Sequence, residues 1–212
     1  MLLLLASILT VAVVSVPQFN NSVCPIFSEL QSAHVVENFT IDEIPGFYFE
    51  LALHDVTQYP LCPFKPRCIS SNKTLEVHTD GVHYINDTWN LFCDKDYFPQ
   101  TLLFNLTGHP GYLKGYVPVT KIPFLPKSFV AKTIFPDTVV DFKAGPEGWV
   151  IEFQCVEAFG RIAFTGINFY SRTNTEVAYQ EMLAAGRARG IDFYWNQGFG
   201  LTRVNQTGCT NA

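Results

Sequence analysis

The chain has 212 residues, 48% of them apolar, 15% aromatic and 16% charged, a composition that can bury one full core and excludes a disordered or collagen-like polymer. Fourteen Lys and Arg against 19 Asp and Glu leave a formal charge of -5, and with no basic run there is no electrostatic footprint for nucleic acid, which is not expected as a partner. The five histidines and six cysteines form no CxxC, HExxH or HxH, so the common zinc spacings are absent and neither a metal nor a resident cofactor is expected.

From Leu2 to Val14 the chain is apolar except at Ser7 and Thr10. Extended to Val16, this makes roughly 22 Å of helix, short of a ~30 Å hydrocarbon core. The segment reads as a secretory signal peptide over residues 1–15, with Ser15 at the cleavage site and a single domain over residues 16–212. Asn-x-Ser/Thr sequons at Asn20, Asn38, Asn72, Asn86, Asn105 and Asn205, together with six cysteines, point to glycosylation in an oxidising compartment. No second apolar run approaches 18 residues, so the mature protein is expected to be secreted, extracellular and not membrane-spanning.

In chain order, strands are predicted at Gly46–His54, Cys68–His78, Val82–Phe92, Thr101–Leu106, Tyr112–Val117, Ser128–Ile134, Thr138–Phe142, Trp149–Val156 and Arg161–Ser171, where Val, Ile, Phe, Tyr and Thr cluster between turn residues. Thr79-Asp80-Gly81 marks a hairpin between the second and third runs. Nine runs exceed eight barrel places, so Thr101–Leu106 or Thr138–Phe142 is expected to belong to a longer element. One helix follows Asn174, with Val177, Met182 and Leu183 toward the sheet, Arg187 and Arg189 at its negative end and Gly190 as its stop. The remaining tail reads as irregular. Strands followed by a late helix predict an all-β fold, a closed antiparallel barrel with the helix packed outside.

Two segments and the cysteine layout carry a resemblance to the lipocalins, spanning roughly Cys24 to Cys209. Gly46-Phe47-Tyr48-Phe49-Glu50 is similar to the family's Gly-x-Trp-Tyr-Glu signature, with Tyr48 where Trp is usual, and Ser171-Arg172-Thr173 resembles its closing arginine segment. The resemblance implies an eight-stranded up-and-down barrel whose base is closed by Arg172 stacked on Tyr48. It also implies disulfides Cys24–Cys155 and Cys68–Cys209, leaving Cys62 for Cys93. By spacing alone all 15 pairings stay open, among them Cys62–Cys68 with Cys93–Cys209. The Trp149 to Thr173 stretch further resembles, loosely, plant violaxanthin de-epoxidase and its lipocalin-like relatives, which keep Tyr and acidic groups in the barrel for proton transfer. Here Glu152 reads as outward-facing and Glu157 as lying at a strand end.

A glycan cannot be built inside a closed barrel, so a glycosylated strand Asn faces outward and its neighbours at odd offsets face inward. Asn72 thereby places Ser71, Lys73, Leu75 and Val77 inside, Asn86 places His83, Ile85 and Asp87, and Asn105 places Phe104 and Leu106. Outward Glu152 and Gln154 leave Trp149, Ile151 and Phe153 inside. The expected lumen is an apolar pocket lined by Leu75, Val77, His83, Ile85, Phe104, Leu106, Trp149, Ile151 and Phe153, with Lys73 and Asp87 as a cross-strand ion pair near the rim. The leading expectation is a secreted glycoprotein that carries a small hydrophobic molecule: a lipid, retinoid, carotenoid-like pigment or tetrapyrrole. One alternative is an enzyme of de-epoxidase or isomerase type, which needs a luminal carboxylate or Tyr; no catalytic residue is assigned to it. The other is an extracellular interaction protein with a filled barrel, its loops Tyr59–Arg67 and Gly108–Tyr112 forming the contact surface.

Overall fold

The structure is a computed structural model that describes residues 19, 22–55, 58, 66–77, 79, 82–93, 96–116 and 134–209. The expected signal peptide, Asn20, Cys62 with the Cys93 side chain, and all but the last residue of the Ser128–Ile134 run lie outside the described residues.

Two short helices, α1 (Phe27–Leu30) and α2 (Ala33–Asn38), precede eight long strands. These are β1 (Gly46–Asp55), β2 (Arg67–Val77), β3 (His83–Cys93), β4 (Asp96–Leu106), β5 (Tyr112–Tyr116), β6 (Ile134–Lys143), β7 (Trp149–Ala158) and β8 (Arg161–Ser171). Each pairs antiparallel with its sequence neighbour, and β1 also pairs with β8, so the sheet closes on itself. Pairing of the first strand with both the second and the last removes much of the free edge that makes an open sheet an aggregation liability. The predicted Thr101–Leu106 and Thr138–Phe142 runs are the second halves of the longer β4 and β6.

The seam between β1 and β2 is short, with Gly46 to Phe49 opposite Lys73 to Ser70. Past Glu50 a bulge turns β1 along β8, and a two-residue strand, β9 (Thr202–Arg203), takes the vacated edge at Ala52 and Leu53. Just after β9, the Gln206 side-chain amide donates to Glu50 O at 2.8 Å and Ile69 O at 2.7 Å, bridging β1 and β2 where their own ladder has ended. Part of the tail is therefore sheet. Two residues are too few for a period-2 pattern to register in the sequence.

Helix α3 (Glu176–Ala188) begins at Thr175, whose hydroxyl accepts the Ala178 N–H, and ends ahead of Gly190 at φ 72°. Ala178, Met182 and Leu183 pack on Trp149, Ile151, Phe153 and Phe169 of the outer wall, each large buried side chain contributing about 1.5–3 kcal/mol. Gly186 completes that face, because a Cβ there would meet the Trp195 ring at 2.7 Å. Val177 does not: it is 67% exposed, one helical step away from the stripe that Ala178 and Met182 define. At the other end Arg189 donates to Leu30 O at 3.0 Å and Glu29 O at 2.6 Å, tying the helix to the segment before the barrel.

The disulfides Cys24–Cys155 and Cys68–Cys209 fasten the N-terminal segment to β7 and the tail to β2. Their sequence separations of 131 and 141 residues correspond to about 5 kcal/mol of removed chain entropy apiece. Among the described residues no helix is long and apolar enough to cross a membrane.

Candidate functional site

One end of the barrel is a plug. Tyr48, Ile85, Phe104, Leu113, Val139, Phe142, Val150 and Tyr170 meet there with Val35 and Ile44 from the segment before β1. The Arg172 guanidinium lies 4.7 Å from the centroid of the Tyr48 ring and donates to Glu43 O at 3.0 Å and Pro45 O at 2.9 Å. The Tyr48 hydroxyl donates to Ile44 O at 2.9 Å. Gly46, at φ 139°, leaves the space the guanidinium fills, since a Cβ at this position would fall on Arg172 Nη1.

Against this plug lies a belt of ionised and polar side chains. Lys73, 1% exposed, places its ammonium 2.5 Å from Asp87 Oδ2 and 3.0 Å from Glu152 Oε1. The other Asp87 oxygen accepts from the Ser71 hydroxyl at 2.5 Å. The same ammonium sits 4.6 Å from the Tyr170 ring centroid and 5.7 Å from that of Phe104, a cation over π faces. Burial alone would lower the Lys73 pKa, yet Asp87 and Glu152 more than reverse it, so it is raised and the side chain stays charged.

Two further carboxyls complete the belt. Glu50 is fully buried and accepts from Asn168 Nδ2 at 2.7 Å, Trp89 Nε1 at 3.1 Å and Gln58 Nε2 at 3.1 Å. Even so, desolvation outweighs these donors and pushes its pKa up to about 8. Asp137 is fully buried as well, and among the described residues no side chain donates to either of its oxygens, the Thr138 backbone being the one hydrogen-bonding group that favours its charge. Desolvation, with the charge of Glu152 next, holds it well above the usual carboxylate range. Desolvation likewise raises Glu152, partly offset by Lys73. The belt thus sets acids whose neutral form is favoured by burial beside one fixed ammonium. Among the described residues no group of three or more His, Cys, Asp or Glu is placed to hold a metal ion.

The predicted lining divides. Ile85 and Phe104 face inward in the plug and Leu75 packs against it; the Leu106 side chain is outside the described residues. Trp149, Ile151 and Phe153 do not face the lumen. They belong to the outer wall under α3, whereas Glu152, expected outside, points in to Lys73. A strand buried on both faces carries apolar residues toward its helix, so polarity there does not mark the solvent side. Val77, 62% exposed, and His83, also exposed, do not line it either. Lys73 pairs with Gly46, the first residue of β1, so Val77 and His83 lie on a hairpin that overshoots the wall. The Lys73–Asp87 pair is accordingly an interior pair rather than a rim one. Glu50, Asp137 and Asn168 escaped the sequence reading, although an inward lysine is itself a signal, since it demands carboxylates around it.

Of the sequon residues, Asn38, Asn72 and Asn205 are exposed. Asn86 is half-buried with its amide donating to Glu76 Oε1 at 2.9 Å, and the Asn105 side chain is not described. On the outer surface a groove of about 280 Å³ opens between Pro25–Phe27 and the wall at Tyr112, Pro136 and Phe153. Tyr112 stacks on Phe27 there at 4.4 Å and plays no part in the lumen.

No family model matches the chain, and no curated protein does. Solved structures do. Lobster apocrustacyanin A1 superposes with a TM-score of 0.52 at 10% identity, covering 80% of this chain and 81% of its own. Apocrustacyanin C2 gives 0.51 at 11% identity over 77% and 78%, and the siderocalin Ex-FABP gives 0.50 at 13% identity over 78% and 96%. At such identities the likeness is one of architecture, and a ring of eight antiparallel strands, closed at its base by an arginine on an aromatic ring and flanked by one helix, is the lipocalin fold.

Proposed function

We propose that the protein is a secreted binder of a small amphipathic molecule, held inside the barrel with its apolar body against Leu53, Ile69, Trp89 and Leu91 and a polar group on the belt. The observation that carries this reading is the belt itself. Buried polar groups cost free energy unless they serve structure or recognition, and here they face the interior of a closed barrel. Ligand binding by a relative of this architecture lends support, since the siderocalin Ex-FABP functions through dual ligand specificities. Secretion fits the two disulfides and the exposed Asn38, Asn72 and Asn205 sequons.

The test is native mass spectrometry of protein produced in a eukaryotic secretory host, before and after organic extraction. A stoichiometric adduct lost on extraction, together with ligand-dependent quenching of tryptophan fluorescence that is altered in Trp89→Phe, is the expected result. A protein without adduct that quenches with no lipophile refutes the reading.

A second reading, an enzyme acting on an enclosed lipophilic substrate, is favoured by one observation: Glu50, Asp137 and Glu152 are buried carboxyls with raised pKa, as a general acid requires. Product release from an extracted lipophile, rather than its retention, would favour it over carriage.

A further inference from the structure

The belt holds one ammonium, that of Lys73, and has carboxyl capacity to spare. Lys73 shows how the site treats a cation: two carboxylates at 2.5 and 3.0 Å, with the faces of Tyr170 and Phe104 beside it. These contacts occupy Asp87 fully and Glu152 in part, while Glu50 is occupied by neutral donors. Asp137 is left over. It is completely buried on the inner face of β6, and among the described residues no side chain donates to either oxygen. Buried polar groups in folded proteins are very largely partnered, and a buried carboxyl with no side-chain donor is a costly exception. No group of described residues is arranged to place a metal ion on it.

We propose that the lumen recognises a protonated amine on a lipophilic ligand, with Asp137 as its counter-ion. This rests on the binding reading above and narrows it to a ligand class. The groups that bear on Asp137 electrostatically come from several walls: Glu152 on β7, Lys73 on β2 and Asp87 on β3. Burial first, then the charge of Glu152, favours the neutral form of Asp137 against the opposing pull of Lys73. An arriving ammonium then ionises it, and the carboxyl proton leaves to solvent, so one N–H···O charge-assisted contact forms and one proton is released. A neutral alcohol with the same chain would bind through its apolar body and leave the proton in place. A fatty carboxylate would meet an acid-rich wall.

The experiment is calorimetric titration of the intact disulfide-bonded protein with decylamine, decan-1-ol and decanoate at pH 7, in two buffers of different ionisation enthalpy, repeated with Asp137→Asn. Wild type is expected to prefer decylamine to decanol by about ten-fold or more, as for a contact to a charged group, and to release a proton on binding the amine but not the alcohol. Asp137→Asn should bring decylamine to the level of decanol. If decanol binds wild type as tightly as decylamine, the amine inference is overturned and carriage stands. If none of the three binds wild type, carriage itself fails and the inference with it. Should Asp137→Asn lose its near-ultraviolet circular dichroism, the wild-type comparison decides alone: decanol binding as tightly as decylamine overturns the proposal.

Discussion

Gly46 and Arg172 are one device supplied from two strands. The glycine leaves room for the guanidinium, and the guanidinium covers Tyr48 while satisfying the carbonyls of Glu43 and Pro45. A partly desolvated cation–π contact is worth up to ~2 kcal/mol, so Arg172→Ala is expected to lower the melting temperature by several degrees in calorimetry. Gly46→Ala should cost at least as much, since it displaces the guanidinium and also strains a φ of 139°. The double variant should lose less than the sum of the two, and additive losses would show that the residues act separately. Glu50 makes a different single-residue prediction. Its carboxyl ionises near 4.5 when unfolded and at about 8 when folded, so between those values the folded protein holds a proton that the unfolded chain has lost. Stability therefore falls as pH rises from about 5 to 8 and levels off above, with Asp137 and Glu152 acting in the same direction. Urea midpoints of wild type should be lower at pH 8 than at pH 5, and Glu50→Gln should narrow that difference; an unchanged difference would show that Glu50 is ionised in the fold.

At the scale of elements, the sequence disclosed most where periodicity was long. Strands of ten or eleven residues such as β1, β3 and β8 and the thirteen-residue α3 stand out through alternation or propensity and through their Gly and Thr boundaries. The single-turn helices before β1 and the two-residue β9 carry too few residues to show a period. Which way a strand faces was legible on β2 and β3, where exposed Asn72 and half-buried Asn86 alternate with buried neighbours. It was illegible on β7, where Trp149, Ile151 and Phe153 meet α3 on one side and Val150 and Glu152 meet the lumen on the other. The same contrast can be measured on α3. Met182→Ala should cost about 2–5 kcal/mol of unfolding free energy, as for a fully buried methionine. Val177→Ala, at an exposed position, should change it by less than ~0.5 kcal/mol. Comparable effects from the two would mean that the helix docks by another face.

At the scale of the whole molecule, the belt exists because a ring closes. Lys73 and Asp87 were legible as cross-strand partners, since they face each other in the β2–β3 register. Asp137 and Glu152 join them from β6 and β7, far along the chain, and sequence proximity carries no trace of that meeting. Lys73 is the charge that makes the closed ring tolerable. Lys73→Met is expected to cost about 3–5 kcal/mol, because Asp87 and Glu152 lose their shared ammonium inside the barrel. Combining it with Asp87→Asn and Glu152→Gln should recover much of that loss in urea unfolding, and no recovery would point to packing by the lysine stem instead of charge.

The Gln206 amide that spans Glu50 and Ile69 also sets an order of events during biosynthesis. The first two strands leave the ribosome early, but the groups that stitch the widened part of their seam are translated some 150 residues later, along with the Cys209 that locks β2 to the tail. A nascent chain can assemble much of its sheet, yet its first seam stays unstitched until after the helix has been made. The barrel is therefore sealed by a segment that is read only after its helix.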